Sequence, residues 1–361
     1  MIYLDHAATS PLLPEVLDAM GPWLGAPANP ASVHALGRRA AAAVDGAREQ
    51  IAALLGRPAA GIVLCSGATE ANHTALRGLR AAGAAAFWAA PIEHPSVRTA
   101  LEAAGAPVHA LGVGLDGVVR LDPAPGADDA LVLMAVNHET GVRQPIAAAA
   151  ALGRRLHVDA TQALGKGAVP GLDQADTVAV SAHKIGGPAG VGALSLRSGE
   201  PFPALFAGSQ ERGRRGGTVN VAGAVGFGEA CRLAARDEAE RLARWARLAE
   251  RLRAGLAALG TRPVGDPARA VPSITTVVFP GIAGDAVVQA LDLAGVAASS
   301  GAACASGAVG PSPVLAAMGE PEPAGGLRIS FGPATSDADV DAALAALADA
   351  VPRIREASAW D

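Results

Sequence analysis

Short apolar runs alternate with stretches of helical periodicity along most of the chain, a pattern typical of an α/β fold with a largely parallel sheet. The runs that we predict to be strands are 61–65, 84–89, 130–136, 155–159, 177–181 and 192–197. The predicted helices are 32–55, with Gly56 as a C-cap, 68–80, and a lightly broken tract at 221–259.

The pattern changes after this tract. Residues 260–272 have the composition of a linker, and a strand at 274–279, a helix at 285–294 and a strand at 326–331 follow it. These elements predict a second, smaller α+β unit. We therefore expect a large domain at 14–240 and a small domain formed by 1–13 and 241–361.

The composition is that of a folded protein with a sizeable core. Half of the 361 residues are hydrophobic and 17% are charged, which argues against disorder. The net charge is −5 and no basic cluster is present, so a nucleic-acid partner is disfavoured. No apolar run has the length of a bilayer, and residues 1–5 lack the features of a signal peptide. We expect a cytoplasmic protein without a membrane partner.

Polar residues follow the predicted strands at their carboxyl ends, where open α/β sheets bind ligands. The first strand continues through Ser66 and Gly67 into a helix that starts with Ala68 and Thr69. Unpaired N–H groups and the positive dipole end at such a helix N-terminus favour a phosphate group. Taken alone, the same pattern is as often a simple helix cap.

Two further strand ends carry ionisable groups, Asp159 and Lys184. Burial lowers the pKa of a lysine and so frees its amine to form a Schiff base. A carboxylate can keep a pyridine nitrogen protonated, although Asp159 could also be a helix N-cap. A phosphate cup, a lysine and an acid in this order predict a pyridoxal phosphate site. The predicted phosphate-binding residues are Ala68, Thr69, Ser181 and His183. No metal ion is predicted.

The three cysteines lie far apart, so a disulfide framework is not predicted. Cys65 and Cys231 have surroundings typical of structural cysteines. Cys304 lies among Gly, Ala and Ser residues without helical periodicity, which predicts an exposed and flexible loop. A nearby cation or histidine would favour its thiolate, so Cys304 is a candidate nucleophile.

With these residues in place, the chain resembles the cysteine desulfurases, and around Cys304 the branch that includes the iron–sulfur and nitrogenase enzymes. The segments that carry the resemblance are 3–5 (YLD), 29–32 (NPAS), 66–70 (SGATE), 93–95 (EHP), 157–162 (HVDATQ), 181–184 (SAHK), 215–218 (RGGT) and 300–304 (SGAAC). They cover almost the whole chain in order. The resemblance implies a homodimer with the pyridoxal phosphate–dependent transferase fold of type I: a large domain with a mostly parallel central sheet, and a smaller α+β domain.

The resemblance also implies that L-cysteine is converted to L-alanine and that the sulfur remains on the enzyme as a persulfide. Lys184 would carry the cofactor and shuttle a proton, while Cys304, in a loop of the small domain, would attack the substrate sulfur. The sulfur would then pass to an acceptor protein, such as an iron–sulfur scaffold. The other implied contacts are Asp159 at the pyridinium nitrogen, Gln162 at the ring oxygen, His94 stacked on the ring and assisting proton transfer, Thr218 of the partner subunit at the phosphate, Arg328 at the substrate carboxylate, and His138 at both the ring oxygen and that carboxylate.

Some features depart from the family pattern. His138 stands where a second asparagine is usual, and we expect activity to be retained because histidine can still donate a hydrogen bond. Gly216 stands where serine is common, which could loosen the phosphate loop. The sequence also stops at Asp361, before the tail with which housekeeping members dock their scaffold, so the acceptor is open.

Three other functions stay open at this point: another enzyme of fold type I such as an aminotransferase, a selenocysteine lyase, and an accessory homologue that has lost catalysis. Without the resemblance, Arg328 would be interpreted as a surface charge on an edge strand.

Overall fold

Helices and strands follow the predicted alternation in the computed structural model, which describes residues 1–197, 202–301 and 311–358. The helices are α1 (Pro14–Leu24), α2 (Ala35–Leu55), α3 (Ala68–Ala81), α4 (Pro95–Ala104), α5 (Ile146–Ala151), α6 (Val221–Arg236), α7 (Glu238–Ala258), α8 (Gly284–Leu293), α9 (Pro313–Ala317) and α10 (Asp337–Ser358). The strands are β1 (Ile2–Tyr3), β2 (Ile62–Cys65), β3 (Phe87–Ala89), β4 (Val108–Ala110), β5 (Ala130–Met134), β6 (Arg155–Asp159), β7 (Thr177–Ser181), β8 (Gly192–Leu196), β9 (Arg262–Pro263), β10 (Ile274–Val278), β11 (Val296–Ala297) and β12 (Gly326–Ser330).

Seven strands form the main sheet in the order β2-β8-β7-β6-β5-β3-β4. β8 runs antiparallel to both of its neighbours, whereas the pairs from β7 to β4 are parallel. Every residue of β5 and β7 is buried, which explains their continuous apolar sequences. The predicted α/β fold with a mostly parallel central sheet is confirmed. Because parallel strands end at the same edge of a sheet, Met134, Asp159 and Ser181 lie side by side there.

Helices pack on this sheet and on one another. α3 lies against β7 and β8 and also contacts α4, while α6 packs on both α1 and α2. Small residues allow the α2–α6 approach, since a Cβ atom added to Gly228 would come within 2.7 Å of Ala47 Cα. The core between these helices and the sheet contains Val44, Ile51 and Phe227, each at most 1% exposed.

A second, smaller sheet consists of β12, β10 and β9, all antiparallel. α7, α8 and α10 pack with it around a separate hydrophobic core that includes Leu4, Trp245, Leu252, Phe279 and Leu347. β1 pairs in parallel with β11, which brings the start of the chain to this unit. The division into 14–240 and 1–13 with 241–361 remains a prediction, and the place of Leu4 in the second core agrees with it.

The expectation of a linker at residues 260–272 is wrong, because β9 forms within this segment and both Val264 and Val271 are buried. The tract 221–259 is two helices, with Asp237 at their junction in a conformation of φ −103° and ψ 8°. Within the described ranges, none of the helices is both long enough and apolar enough to cross a bilayer.

Candidate active site

A cavity of about 520 Å³ lies where β5, β6 and β7 end. This volume is typical of a small-molecule site. The predicted site residues on its wall are Ala68, Thr69, His94, His138, Asp159, Gln162, Ser181, His183, Lys184 and Arg328. Two predicted residues are not among them. Thr218 is exposed and does not line this cavity, and Cys304 lies outside the described residues.

At one end of the cavity, α3 begins without a side-chain cap. Gly67 precedes it with φ 156° and ψ 179°, a conformation that favours glycine. The first N–H groups of α3 therefore face the cavity beside Ser181, whose Oγ would lie 3.7 Å from a Cβ atom added to Gly67. This arrangement suits an anion such as a phosphate group.

The Glu70 side chain stabilises the loop that precedes α3. Its Oε2 accepts a hydrogen bond from Ser66 N at 2.8 Å, and its Oε1 accepts one from Arg215 Nε at 3.0 Å. The Arg215 guanidinium and hydrogen bonds from Ser66 lower the pKa of Glu70 despite its burial. Glu70 is thus an ionised carboxylate that holds the loop before α3 in place.

Asp159 ends β6 and is 6% exposed. Its Oδ1 accepts a hydrogen bond from Thr161 N at 3.0 Å, and its Oδ2 accepts one from Asn72 Nδ2 at 2.9 Å. Among the residues that the structure describes, each oxygen therefore has one donor, and it keeps lone-pair capacity for a ligand. The carboxylate is held in one orientation at the cavity wall.

Asn72 is fully buried and uses its whole amide. Its second hydrogen goes to Ser96 Oγ at 3.0 Å, and its Oδ1 lies 3.0 Å from His157 Nε2. Burial lowers the pKa of His157 to about 4, so its ring is neutral and its single proton lies on Nε2, facing Asn72. Its Nδ1 then accepts from Thr177 Oγ1 at 2.8 Å. Asn72 was not predicted from the sequence. The available signal was a polar amide on the buried side of the predicted helix that starts at Ala68.

His94 caps α4 through its Nδ1, which accepts from Ser96 N at 3.1 Å and lies 2.8 Å from Ser96 Oγ. Since Nδ1 accepts from Ser96 N and so carries no proton, Ser96 Oγ can only donate to it. Burial lowers the pKa of His94, so the neutral ring carries its proton on Nε2. His94 therefore presents an N–H group at that position. The helix α4, which starts directly after His94, was not predicted from the sequence.

Lys184 closes a 3₁₀ turn, Ala182–Lys184, directly after β7. Its Nζ donates to Ala7 O at 2.6 Å and to Ala8 O at 2.7 Å, which brings the first residues of the chain onto the cavity wall. His183 is the residue before Lys184. Burial lowers its pKa to about 4, and the charges of Lys184 and Lys166 contribute to this shift. His183 is therefore a neutral ring whose Nδ1 lies 3.0 Å from Thr9 Oγ1.

Gln162 shares an acceptor with Lys184. Its Nε2 donates to Ala7 O at 2.7 Å, and its Oε1 accepts from Lys166 Nζ at 2.7 Å. Because a carbonyl oxygen can only accept, Ala7 O determines which end of this amide is the NH₂ group. One N–H of Gln162 remains for a ligand in the cavity.

Arg328 lies in β12 and is 1% exposed, so the alternative interpretation as a surface charge is wrong. Its Nη1 donates to His138 O at 2.9 Å and its Nη2 donates to Asp5 Oδ1 at 2.8 Å. Within the described residues, two buried nitrogens at the cavity have no hydrogen-bond partner: Arg328 Nε and His138 Nδ1. Burial holds the pKa of His138 well below its ordinary value, so this ring is neutral. Buried polar atoms of this kind indicate that a ligand completes the site.

Cys65 and Cys231 differ from a catalytic thiol. Burial raises the pKa of Cys65 to about 12, and it raises the pKa of Cys231 as well. Neither thiol forms a thiolate near neutral pH, as expected of structural cysteines.

Comparisons with known proteins agree with this geometry. Residues 2–343 match the family model of class-V aminotransferases. A cysteine desulfurase of Cereibacter sphaeroides is 40% identical over 99% of this chain and 97% of its own length. The solved structure of a NifS-like protein has a TM-score of 0.89 and 29% identity and covers both chains completely. The structure of SspA in complex with cysteine has a TM-score of 0.79 and 28% identity over 93% of this chain and all of its own.

Proposed function

The chain belongs to the class-V aminotransferase family and, within it, to the cysteine desulfurases, and on that premise we propose that it removes the sulfur of L-cysteine with pyridoxal phosphate held on Lys184. The products are L-alanine and a persulfide on Cys304. The observation that carries the proposal is the single cavity that unites Lys184, Asp159 and the start of α3.

The side chains of the cavity fit this cofactor. Unpaired N–H groups at the start of α3 match its phosphate, together with Ala68, Thr69, Ser181 and His183. The Lys184 amine matches its aldehyde, and the Asp159 carboxylate matches its ring nitrogen. Pyridoxal phosphate, when bound, supplies an electron sink for negative charge at the substrate Cα.

Three residues orient the ring. Asp159, held by Asn72 and by Thr161 N, keeps a proton on the ring nitrogen because an ionised carboxylate favours the charged partner. Gln162 has a single N–H left and meets the ring oxygen as a donor. His94 would stack on the ring and would present its Nε2–H group to the cofactor or substrate as a hydrogen-bond donor.

The substrate carboxylate would bind at the part of the cavity wall where Arg328 contacts His138. Arg328 offers Nε and the remaining hydrogens of its guanidinium, and Asp5 holds the fork in position. The His138 ring lines the same cavity as Arg328, so one of its two nitrogens can contact the substrate carboxylate or the cofactor ring oxygen. This donor set supports a small α-amino acid as the substrate.

Sulfur transfer requires Cys304, which lies outside the described residues. Its thiolate attacks the substrate sulfur, the new S–S bond forms, and the C–S bond breaks with its electron pair passing to the substrate carbon. A proton on that carbon completes L-alanine, and Lys184 supplies protons at the substrate because its amine lies at the cavity wall. A thiol or the acceptor protein then takes the terminal sulfur.

The partners are also part of the proposal. Thr218 is exposed and off the wall of its own cavity, which supports a contact with the phosphate site of a second copy of the chain. We expect a homodimer, a protein acceptor such as an iron–sulfur scaffold, and a cytoplasmic location.

The test begins with the purified protein and pyridoxal phosphate. We expect a yellow absorption band and equal amounts of alanine and sulfide from L-cysteine with a thiol reductant. Cys304→Ala should keep the band and lose sulfide release, whereas Cys65→Ser should keep both. Lys184→Ala should lose both. Full sulfide release by Cys304→Ala would contradict its role, and normal activity of Lys184→Ala would overturn the whole scheme. Parallel assays with selenocysteine and with α-keto acids distinguish a selenocysteine lyase and an aminotransferase.

A further inference from the structure

Lys166 is a buried lysine at the active site that the proposed reaction does not use. It is 5% exposed and lies four residues after Gln162, in a turn in which Leu164 N donates to Ala160 O and Lys166 N donates to Ala163 O. This turn brings Lys166 Nζ within 2.7 Å of Gln162 Oε1. We propose that Lys166 is a positioning residue that holds the Gln162 amide with its N–H toward the cofactor ring oxygen. The inference rests on the proposed function.

The contacts on both sides of the amide support one orientation. Ala7 O accepts from Gln162 Nε2 at 2.7 Å, and Lys166 donates to Oε1. A flipped amide would place its oxygen against the Ala7 carbonyl oxygen, a repulsive contact, and would give up the hydrogen bond that Oε1 accepts from Lys166. Lys166 therefore stabilises the orientation in which Gln162 acts as a donor to the cavity.

Several cationic side chains surround Lys166, and Asp237 lines the same small cavity. Burial, together with Lys184, Arg328 and Arg241, lowers the pKa of Lys166 to about 7. His6 adds no charge at neutral pH, because burial lowers its own pKa to about 4. Gln162 Oε1 is a neutral acceptor, to which the Lys166 amine can donate in either protonation state.

The same contacts connect Lys166 to the reactive lysine. Ala7 O accepts from both Gln162 Nε2 and Lys184 Nζ, the latter at 2.6 Å. A small cavity of about 50 Å³ has Lys166, Lys184, His6, Asp237 and Arg241 on its wall. Lys166 thus occupies the rear of the site, where it can affect cofactor binding without touching substrate.

The test uses the intact protein, stripped of cofactor and titrated with pyridoxal phosphate or with the analogue that lacks the ring hydroxyl. For Lys166→Met we expect roughly tenfold weaker binding of pyridoxal phosphate, the equivalent of one hydrogen bond to a charged group, and unchanged binding of the analogue. The pH midpoint of the visible band should rise, because a donor to the ring oxygen favours its deprotonated form. Equal losses for both ligands would overturn the proposal.

A double-mutant cycle tests whether Lys166 acts through Gln162. In a Gln162→Leu background, Lys166→Met should change pyridoxal phosphate binding less than about twofold. Arg241→Met removes a neighbouring buried cation that does not touch Gln162, and it should leave the pH midpoint of the band nearly unchanged. Additive effects of Lys166→Met and Gln162→Leu, or an equal shift in Arg241→Met, would refute the positioning role.

Two further variants keep the outcomes distinct. If Lys166→Met does not fold, Lys166→Gln takes its place in the same cycle, and because it retains a donor it should keep more cofactor affinity than Lys166→Ala. If Lys166→Gln binds no better than Lys166→Ala, the inference fails. Loss of pyridoxal phosphate binding by the unmodified protein would instead refute the proposed function.

Discussion

Asn72 Nδ2 donates to Asp159 Oδ2 at 2.9 Å, and this contact joins α3 to the carboxylate that we propose for the ring nitrogen of the cofactor. The other hydrogen of the same amide goes to Ser96 Oγ, which lies 2.8 Å from His94 Nδ1. A single buried side chain therefore orients Asp159 and also contacts the serine hydroxyl that lies against His94.

Replacing Asn72 with alanine should weaken the cofactor site without abolishing the fold. His157 and Ser96 would lose a partner, and a buried polar group without one costs about 1–3 kcal/mol of the free energy of unfolding. We expect pyridoxal phosphate affinity to fall roughly tenfold, measured by absorbance titration of the apoenzyme together with denaturant unfolding. His73→Ala, one residue further along α3, is the matched control. Similar affinities for the two variants would contradict this role of Asn72.

Arg328→Lys should raise the KM for L-cysteine about tenfold or more while pyridoxal phosphate still binds. Lysine keeps the charge but cannot contact Asp5, His138 O and a carboxylate with one planar group. The measurement is steady-state sulfide release over a range of cysteine concentrations. An unchanged KM would place the substrate carboxylate elsewhere in the cavity.

His138→Asn restores the residue usual in the family and should alter turnover by no more than a few fold. Because burial holds the pKa of His138 well below its ordinary value, the ring is neutral at neutral pH and offers one donor and one acceptor, as an asparagine amide can. The pH dependence of sulfide release should therefore be the same in both proteins. A rise in turnover from a negligible to a substantial level would show that His138 impairs the native enzyme.

Acid should destabilise the apo protein through its buried histidines. Burial lowers the pKa of His6 and His157 to about 4 from an ordinary 6.5. The unfolded chain then binds protons that the folded chain does not, so the contribution to stability is complete above about pH 6.5 and is lost as the pH falls toward 4. Each site accounts for up to about 3 kcal/mol by this linkage. Urea unfolding at pH 7 and pH 5 measures it, and His157→Gln should have a shallower pH dependence. A free energy of unfolding that stays constant over this range would contradict neutral burial.

The sequence alone determined the class of fold and the line of ligand residues along one edge of the sheet. Apolar runs ending in Asp159 and in Ser181 to Lys184 are local features, and parallel strands bring their ends together whatever the details of packing. The same local pattern identified the glycine-preceded start of α3. Cys304 was singled out by its neighbours, and its role remains a prediction.

Tertiary structure decided what supports these residues. Asn72 and Asp159 are 87 positions apart, and nothing local in the sequence indicates that they share a hydrogen bond. Lys166 is close to Gln162 in sequence, but its burial among other cations depends on elements from distant parts of the chain. Arg328 resembles an edge-strand surface charge in sequence and is 1% exposed in the fold. The sequence therefore predicted which groups meet at the edge of the main sheet, because strand ends are local, whereas long-range packing alone determined their partners and their protonation.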